Sequence, residues 1–341
     1  MNTFMEVKAK LAKKLAGWKE KLLSKAGKEV LIKAVAQVIP TYTMSCFKIP
    51  DSLCDEMTSL IRNFWWRQCK EERKMAWISW EKLCAPKACG GMSFKQLKQF
   101  NLAMRAKQGW RLQTETDSLL YRVFKSKYFP NCEVVDASLG RNPSFAWRSI
   151  MAAQDIVQKG RWWQVGNGHS IMIWQDKWLP SPSTYEVVSS VNYILEDSRV
   201  VELIDEEKGA WKKDLVSNIF FPHEADLICG IALCANMPEE KQVWALTNNG
   251  LFSGRSAYKL AMEMKSYAQV GFGFDGSHLG RFWWSNWSCN IPHKIRHFAW
   301  RACRDALPMK ENLVRRKVLS DSCCNECKLV EETSSHLFWS C

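Results

Sequence analysis

The last eighteen residues of the chain, Cys324-x₂-Cys327-x₈-His336-x₄-Cys341, decide the fold of its C-terminal end. Three thiols and one imidazole are a standard tetrahedral ligand set for structural Zn²⁺. The short gap between Cys324 and Cys327 allows a tight turn, and Asn325 suits it because asparagine tolerates left-handed backbone angles. The spacing predicts a closed structural zinc site. Because the sequence ends on the fourth predicted ligand, we expect a piece of a longer protein.

The cysteine content leaves an alternative to metal binding open. The chain has 14 cysteines, so a pair with this spacing also arises among ordinary reduced thiols, and Cys323 adjoins the predicted ligand Cys324. A disulfide framework is disfavoured because the chain is long, shows no signal peptide and scatters its other cysteines. The sequence therefore leaves two interpretations of the C-terminal group, a zinc site or reduced thiols.

The net charge of +13 is unevenly distributed along the chain. Residues 1–50 contain ten Lys or Arg against three acidic residues, and residues 281–320 contain nine against two. Residues 181–240 reverse the balance, with four basic and twelve acidic residues. Basic segments attract nucleic-acid phosphates without sequence preference, although lysine-rich helices are also common as solvated faces. The pattern predicts separate modules and favours a nucleic acid as partner.

Helical periodicity dominates both ends of the chain, whereas aromatic and β-branched runs mark the middle. Helices are predicted over residues 11–22, 30–39, 53–66, 94–110, 119–128, 257–264, 292–307 and 313–319. Two β-hairpins are predicted from runs at residues 161–165 and 170–174 around a Gly/Asn turn, and at residues 243–246 and 251–253 around another. The glycine-rich stretch 269–281 predicts a linker or long loop. The fold class expected is mainly α with small β-hairpins (α+β).

An ordered series of motifs links these segments to a known family. The motifs are Leu23-Ser24-Lys25-Ala26-Gly27-Lys28, Ile39-Pro40-Thr41-Tyr42, Cys84-Ala85-Pro86-Lys87, Asn101-Leu102-Ala103, Trp110-Arg111, Trp163 to Pro180, Pro292-His293-Lys294 and the C-terminal Cys/His group. In this order they resemble the region after the polymerase core of plant LINE-type (non-LTR) retroelement reverse transcriptases. The tail resembles the zinc-binding domain of those enzymes.

The resemblance implies three consecutive regions. Residues 1–135 would be a helical, thumb-like region after the polymerase, and residues 136–254 a Trp-rich hairpin and acidic middle. Residues 255–341 would be the reverse-transcriptase zinc-binding domain, truncated at its C-terminus, with one structural Zn²⁺ as cofactor. The family carries a polymerase palm upstream and often a ribonuclease H-like domain downstream, and neither is evident in these residues.

Polymerase chemistry is not expected, because template copying needs carboxylates that hold two metal ions. The family places paired aspartates on a palm hairpin, and this sequence has no Asp-Asp pair. The run Asp205-Glu206-Glu207 is typical of a solvated turn. The sequence also lacks a Gly-x-Ser-x-Gly motif and a phosphate-binding loop. We therefore predict no enzyme activity, no catalytic residues and no small-molecule substrate.

The first functional hypothesis is zinc-dependent, non-catalytic binding of RNA or DNA, with other retroelement polypeptides as further partners. The predicted phosphate contacts are Lys294, Arg296, Arg301, Arg304, Arg315, Arg316 and Lys317. His293 and His297, four residues apart, would share a helix face that Lys294 and Arg296 make basic, and the pair is predicted to be structural or phosphate-facing. The alternatives are a protein-interaction scaffold and an inert fragment. No window of about 18 apolar residues suggests a membrane span. An intracellular protein is expected, with nucleus and cytoplasm left open.

Overall fold

The computed structural model describes residues 2–18, 23–66, 75–180, 185–190, 197–234, 236–268 and 277–341. Its α-helices are α1 (Asn2–Gly17), α2 (Lys25–Leu31), α3 (Thr41–Cys46), α4 (Asp51–Trp66), α5 (Trp80–Cys84), α6 (Leu97–Thr114), α7 (Leu119–Tyr128), α8 (Phe145–Met151), α9 (Gln154–Gly160), α10 (Lys213–Ile219), α11 (Pro222–Cys229), α12 (Gly254–Ala268), α13 (Ser277–Ser288), α14 (His293–Cys303) and α15 (Lys310–Arg315). The strands are β1 (Arg161–Gln164), β2 (Ile204–Asp205), β3 (Ala210–Trp211) and β4 (Lys241–Trp244). The expected fold class, mainly α with small β elements, is confirmed.

The chain divides into two compact units. The first combines residues 1–101 with residues 266–341, and the second comprises residues 102–265. The three consecutive regions implied by the resemblance are defined by family likeness rather than by compactness, and their boundaries stay a prediction.

In the first unit, α1 packs against α4. Leu11 and Leu15 of α1 are buried, and so are Met57 and Ile61 of α4. Leucines four residues apart share one face of a helix, which explains why the lysines between them remain at the surface. The helix predicted over residues 30–39 is divided: α2 continues as a π-helical segment, Ile32–Ala36, before Pro40 precedes α3.

Gly90 joins distant parts of this unit. Its φ of +73° is a left-handed conformation that favours glycine, and a Cβ there would lie 2.5 Å from the indole of Trp283 in α13. The Gly90 carbonyl accepts a hydrogen bond of 2.9 Å from Trp300 Nε1 in α14. The absence of a side chain at Gly90 lets Trp283 approach, and the hydrogen bond holds Trp300. Together these contacts fix α13 and α14 against the loop after α5.

A buried ion cluster joins α2 to α14. Glu29 Oε1 lies 2.6 Å from Lys33 Nζ and 2.9 Å from Lys87 Nζ, and Glu29 Oε2 lies 2.9 Å from His297 Nε2. Burial alone would raise the pKa of Glu29, but His297 and the two ammonium groups outweigh it and hold that pKa well below its usual range. His297 is buried in this cluster, which is the structural role predicted as one alternative for the histidine pair, whereas His293 is exposed.

The second unit has a core of aromatic and branched side chains. One cluster includes Ile171, Trp178, Leu203 and Ile228, which are all fully buried. Trp178 Nε1 donates a 3.0 Å hydrogen bond to Ile173 O, so its polar atom is satisfied inside this core. The heavy tryptophan content of the sequence is therefore used here for packing.

Strand pairing differs from both predicted hairpins. β1 pairs antiparallel with β4, with Arg161 opposite Trp244 and Gln164 opposite Lys241. Gly160 permits this approach, because a Cβ there would lie 2.2 Å from the Trp244 ring. The small sheet β2–β3 pairs Ile204 with Trp211. Each predicted hairpin thus contains one strand, β1 or β4, and these two strands pair with each other rather than with the neighbouring run in sequence.

Several helices lie where none was predicted. These are α3, α5, α8, α9, α10, α11 and α13. Of the predicted linker, residues 269–276 lie outside the described residues, and the remainder is helical because α13 begins at Ser277. Leu22 of the first predicted helix also lies outside the described residues, and α1 ends at Gly17.

Candidate metal centre and the basic residues around it

The Cys324–Cys327 segment forms a tight turn closed by backbone hydrogen bonds. The Lys328 amide donates to Cys324 O at 3.1 Å, and the Cys324 amide donates to Val330 O at 2.9 Å. Lys328 has a φ of +57°, so it takes the left-handed conformation expected earlier for Asn325. The chain reverses at this point, and Cys323 forms an isolated antiparallel bridge with Glu331. The turn places the sulfurs of Cys324 and Cys327 on one side.

The second pair of candidate ligands lies on a π-helical turn, His336–Ser340. The Cys341 amide donates to His336 O at 2.9 Å, which is the five-residue hydrogen bond of that geometry. Just before this turn, Thr333 Oγ1 accepts a 2.9 Å hydrogen bond from the His336 amide. A five-residue spacing of the ligands therefore coincides with a five-residue backbone turn.

The four side chains converge on one point. The thiol sulfurs of Cys324, Cys327 and Cys341 and a ring nitrogen of His336 all lie within 4.8 Å of one another. Cys324 Sγ is 3.9 Å from Cys341 Sγ, and Cys327 Sγ is 3.2 Å from His336 Nε2. Tetrahedral zinc with Zn–S bonds of about 2.3 Å separates two sulfurs by about 3.8 Å, and a sulfur and a nitrogen by about 3.6 Å. This Cys₃His set could hold a metal ion.

Backbone groups favour the thiolate form of two of these cysteines. The amide of Cys327, followed by that of Glu326, lowers the pKa of the Cys324 thiol. The amide of Leu329 lowers the pKa of the Cys327 thiol. Desolvation, together with the neighbouring sulfurs, raises the pKa of Cys341 to about 11. A third negative charge is therefore disfavoured unless a cation compensates it.

Lys310 of α15 and Glu332, which follows the cysteine turn, support the centre. Lys310 Nζ donates to Cys323 O at 2.7 Å and to Asn325 Oδ1 at 2.6 Å, which fixes the turn that carries the first two sulfurs. The Lys310 amide in turn donates to Glu332 Oε1 at 3.2 Å. Cys323, the competitor weighed from the sequence, lies outside the group of four. These supports leave no local signal in the sequence, because the partners are separated by ten residues or more.

Three of the predicted phosphate contacts are partly buried and donate to backbone carbonyls. Arg296 Nη1 donates to Trp287 O at 2.6 Å, and Arg301 Nη2 donates to Ala306 O at 3.2 Å. Arg304 Nε donates to Gly90 O at 2.8 Å. Burial lowers the pKa of Arg301 and of Arg304. These side chains hold helix ends and loops of the first unit in place.

The other four predicted contacts are exposed. Arg315 Nη2 lies 2.6 Å from Asp305 Oδ2, and Arg316 Nη2 donates to Trp77 O at 3.2 Å. Lys294 and Lys317 have solvent-exposed side chains on α14 and just after α15. Whether any of the seven contacts phosphate stays a prediction. No helix within the described ranges has the length and apolar character of a membrane span.

Comparison with known proteins agrees with this geometry. Residues 252–341 match the family described as zinc-binding in reverse transcriptase. The chain is 29% identical over 352 aligned residues to the "Putative ribonuclease H protein" of Arabidopsis thaliana, an alignment that covers 100% of this chain and 54% of that protein. It is 39% identical over 142 residues to an uncharacterized mitochondrial protein of Arabidopsis thaliana, covering 41% of this chain and 92% of that relative.

The chain spans about half the length of the first of these relatives and nearly all of the second. The resemblance drawn from the ordered motifs is thereby confirmed. The chain belongs to the plant retroelement proteins related to the C-terminal region of a reverse transcriptase, and it carries the zinc-binding domain of that family.

Proposed function

We propose that the C-terminal Cys₃His group binds one structural Zn²⁺. The carrying observation is that four ligand atoms from two separate turns lie within 4.8 Å of one another. Four protein ligands complete a tetrahedral coordination, so the set fits a closed structural site rather than a catalytic one, in which one position stays open. The metal would supply a cross-link between the two turns, and the four side chains would hold it.

Metal analysis of the purified protein tests this assignment. The expected result is one equivalent of zinc in the wild type and a large loss in Cys324→Ser and His336→Ala. The matched control is Cys323→Ser, which removes an adjacent thiol that lies outside the group. Less than about one equivalent in the wild type would contradict the proposal.

We further propose that the chain binds RNA or DNA without catalysis. The support is the excess of basic residues over 281–320, in which nine Lys or Arg stand against two acidic residues. These residues lie within the matched zinc-binding domain and lead directly into its Cys/His group. Phosphate-driven binding weakens steeply as salt rises, because counterions are released on association. Fluorescence anisotropy with labelled oligonucleotides from about 50 to 200 mM salt should show that decline, and no salt-sensitive binding would contradict the proposal.

The absence of catalysis is part of the same proposal. Two-metal phosphoryl chemistry needs clustered carboxylates. The sequence contains no Asp-Asp pair, and among the described residues the one cluster suited to a metal is the Cys₃His group. The ribonuclease H named for the longer relative is therefore not proposed for these residues. Primer extension and RNA hydrolysis with Mg²⁺ should both stay at background, and turnover in either would contradict the proposal.

A protein-interaction role is the second candidate, favoured by exposed apolar side chains around the metal centre. Trp339 and Leu329 are 86% and 83% exposed, and Phe338 and Val330 are also exposed. Aromatic and aliphatic groups of this kind are common at protein interfaces. Substituting Trp339 by Ser should leave oligonucleotide affinity unchanged if this surface serves a protein partner, such as another retroelement polypeptide. A weakened affinity would instead place Trp339 in the nucleic-acid site.

A further inference from the structure

The first unit contains an open cavity that the zinc centre does not use. Its volume is about 770 Å³, within the range typical of ligand-binding sites. It lies between the segment just before α5 and the segment from the end of α14 to the end of α15. The lining residues are Met75, Trp77, Arg304, Asp305, Asn312, Arg315 and Arg316. Three of these are arginines from the predicted phosphate contacts. The cavity brings them close to Trp77, which is not among the residues predicted to bind nucleic acid.

The cavity carries a positive charge. Arg304, Arg315 and Arg316 contribute three guanidinium groups, and Asp305 offsets one of them through its 2.6 Å ion pair with Arg315. That ion pair is more than two-fifths exposed on both sides, so solvent and ions reach it. An exposed pair of this kind contributes little to stability. Breaking it to free Arg315 for another anion would therefore cost little.

Trp77 and Arg316 both line this cavity and contact each other. The Arg316 guanidinium lies 5.4 Å from the centre of the Trp77 ring, and its Nη2 donates to Trp77 O. This contact accounts for one of the five N–H donors of a guanidinium. Indole and guanidinium planes are both surfaces on which nucleobases stack, and stacking tolerates any base.

Arg304 has a different part in the arrangement. Its Nε and Nη2 donate to Gly90 O and Cys89 O, and its guanidinium lies 5.1 Å from the ring of Trp283. These contacts fix the side chain in place. Arg304 therefore supplies fixed positive charge at the cavity wall, while the exposed Arg315 and Arg316 have room to adjust to a ligand.

We propose that this cavity binds single-stranded nucleic acid, with a phosphate held by Arg315 and Arg316 and a base stacked on Trp77. The inference rests on the nucleic-acid binding proposed above and adds the place and the strandedness. A base can reach the indole only when it is not paired within a duplex, so single strands should bind better than duplexes of the same sequence.

Stacking is tested with Trp77→Leu and Trp77→Phe, measured by anisotropy with a labelled twelve-residue oligothymidylate. Leucine keeps an apolar side chain without a ring, and phenylalanine keeps a ring. We expect Trp77→Leu to weaken binding about tenfold and Trp77→Phe to retain most of the affinity. With an abasic strand of the same length, wild type and Trp77→Leu should bind equally, because no base is present to stack. An equal loss for both strands would contradict stacking.

The phosphate contact is tested with Arg316→Gln against Lys213→Gln, which removes an exposed positive charge that lies outside the cavity and outside the predicted phosphate contacts. Arg316→Gln should reduce the slope of log affinity against log salt by about 0.7, the value for one phosphate contact of a single strand. Lys213→Gln should change that slope less. Equal effects of the two variants would indicate general polyanion attraction and overturn the site.

Asp305→Asn provides a gain of affinity that misfolding cannot imitate. Asp305 has a φ of +50°, a conformation that asparagine also tolerates. The change removes the carboxylate that competes for Arg315, so binding should tighten about two- to fivefold. If the wild type binds no oligonucleotide, the proposed function fails. If it binds but the Trp77, Arg316 and Asp305 variants all behave as wild type, the function stands and this site is overturned.

Discussion

The core around Trp178 and the C-terminal tail are stabilised in opposite ways. In the core, Ile171, Trp178 and Leu203 are fully buried among other large apolar side chains. In the tail, residues 318–341 contain two buried side chains, Cys324 and His336, and both are candidate metal ligands. Burying a large apolar side chain contributes about 1.5–3 kcal/mol, so many such residues stabilise the core. The tail has no comparable core, and small folds of this kind depend on a metal or on disulfides.

The largest expected effect comes from removing one candidate ligand. Cys324→Ser should lower zinc affinity by about a hundredfold or more and expose residues 318–341 to proteolysis, while the Trp178 core keeps its thermal transition. Zinc competition with a chromophoric chelator, followed by limited proteolysis, measures both. Cys323→Ser is the matched control and should keep wild-type affinity. Equal losses of zinc affinity in the two serine variants would show that Cys324 is not a specific ligand and would contradict the prediction.

Truncating a core tryptophan tests the other side of the comparison. Trp178→Ala should cost about 3–5 kcal/mol in the free energy of unfolding of its unit, because it leaves a large cavity. Zinc stoichiometry should not change. Trp284→Ala, at a side chain that is 71% exposed, should cost about 0.5 kcal/mol or less. Urea unfolding followed by circular dichroism provides the measurement, and loss of zinc in Trp178→Ala would show that the two regions are not independent.

The buried ion cluster at Glu29 is a third mode of stabilisation. Its carboxylate pKa is lowered in the folded chain, so its contribution is present above the unfolded pKa of about 4.3 and is lost as pH falls below it. Glu29→Gln should cost about 2 kcal/mol at pH 7 and flatten the fall in stability between about pH 5 and pH 3.

Urea unfolding over that pH range checks the sign. Glu56→Gln, at an exposed partner of Lys8, is the control and should leave the pH profile nearly unchanged. A Glu29→Gln profile parallel to that of the wild type would contradict the lowered pKa.

The smallest expected effect concerns the support of the cysteine turn. Lys310→Met removes the two hydrogen bonds to Cys323 O and Asn325 Oδ1 while it keeps most of the side-chain length. Zinc affinity should fall about tenfold, as is usual when a group that orients a ligand is lost. Lys317→Met, at an exposed lysine beyond α15, should leave it unchanged. No difference between the two variants would mean that the turn is held by its own backbone alone.

Local patterns predicted local structure well. The α7 helix has the bounds expected from its periodicity, and α4 begins two residues before the expected Leu53. The four candidate ligands, which the structure brings together, could be predicted because metal chemistry restricts their spacing within eighteen residues. In each case the information lies within a few turns of chain.

Long-range pairing could not be predicted in the same way. β1 and β4 are about eighty residues apart, and their pairing depends on Gly160 and Trp244 fitting together. Charge alone also does not tell which arginines bind carbonyls: Arg304 donates to a backbone more than 200 residues earlier in the chain. Short helices such as α10 and α11 have too few turns for a helical repeat of apolar residues to be recognised within the acidic section of the sequence.

Hydrogen exchange with and without a zinc chelator tests the central claim most directly. Amide exchange is followed by mass spectrometry in peptides from residues 318–341 and from residues 171–228 of the same sample. Chelation is expected to remove protection from residues 318–341 and to leave the Trp178 core unchanged, because the proposed zinc stabilises only the tail. Unchanged protection of residues 318–341 after chelation, or loss of protection in both regions together, would contradict it.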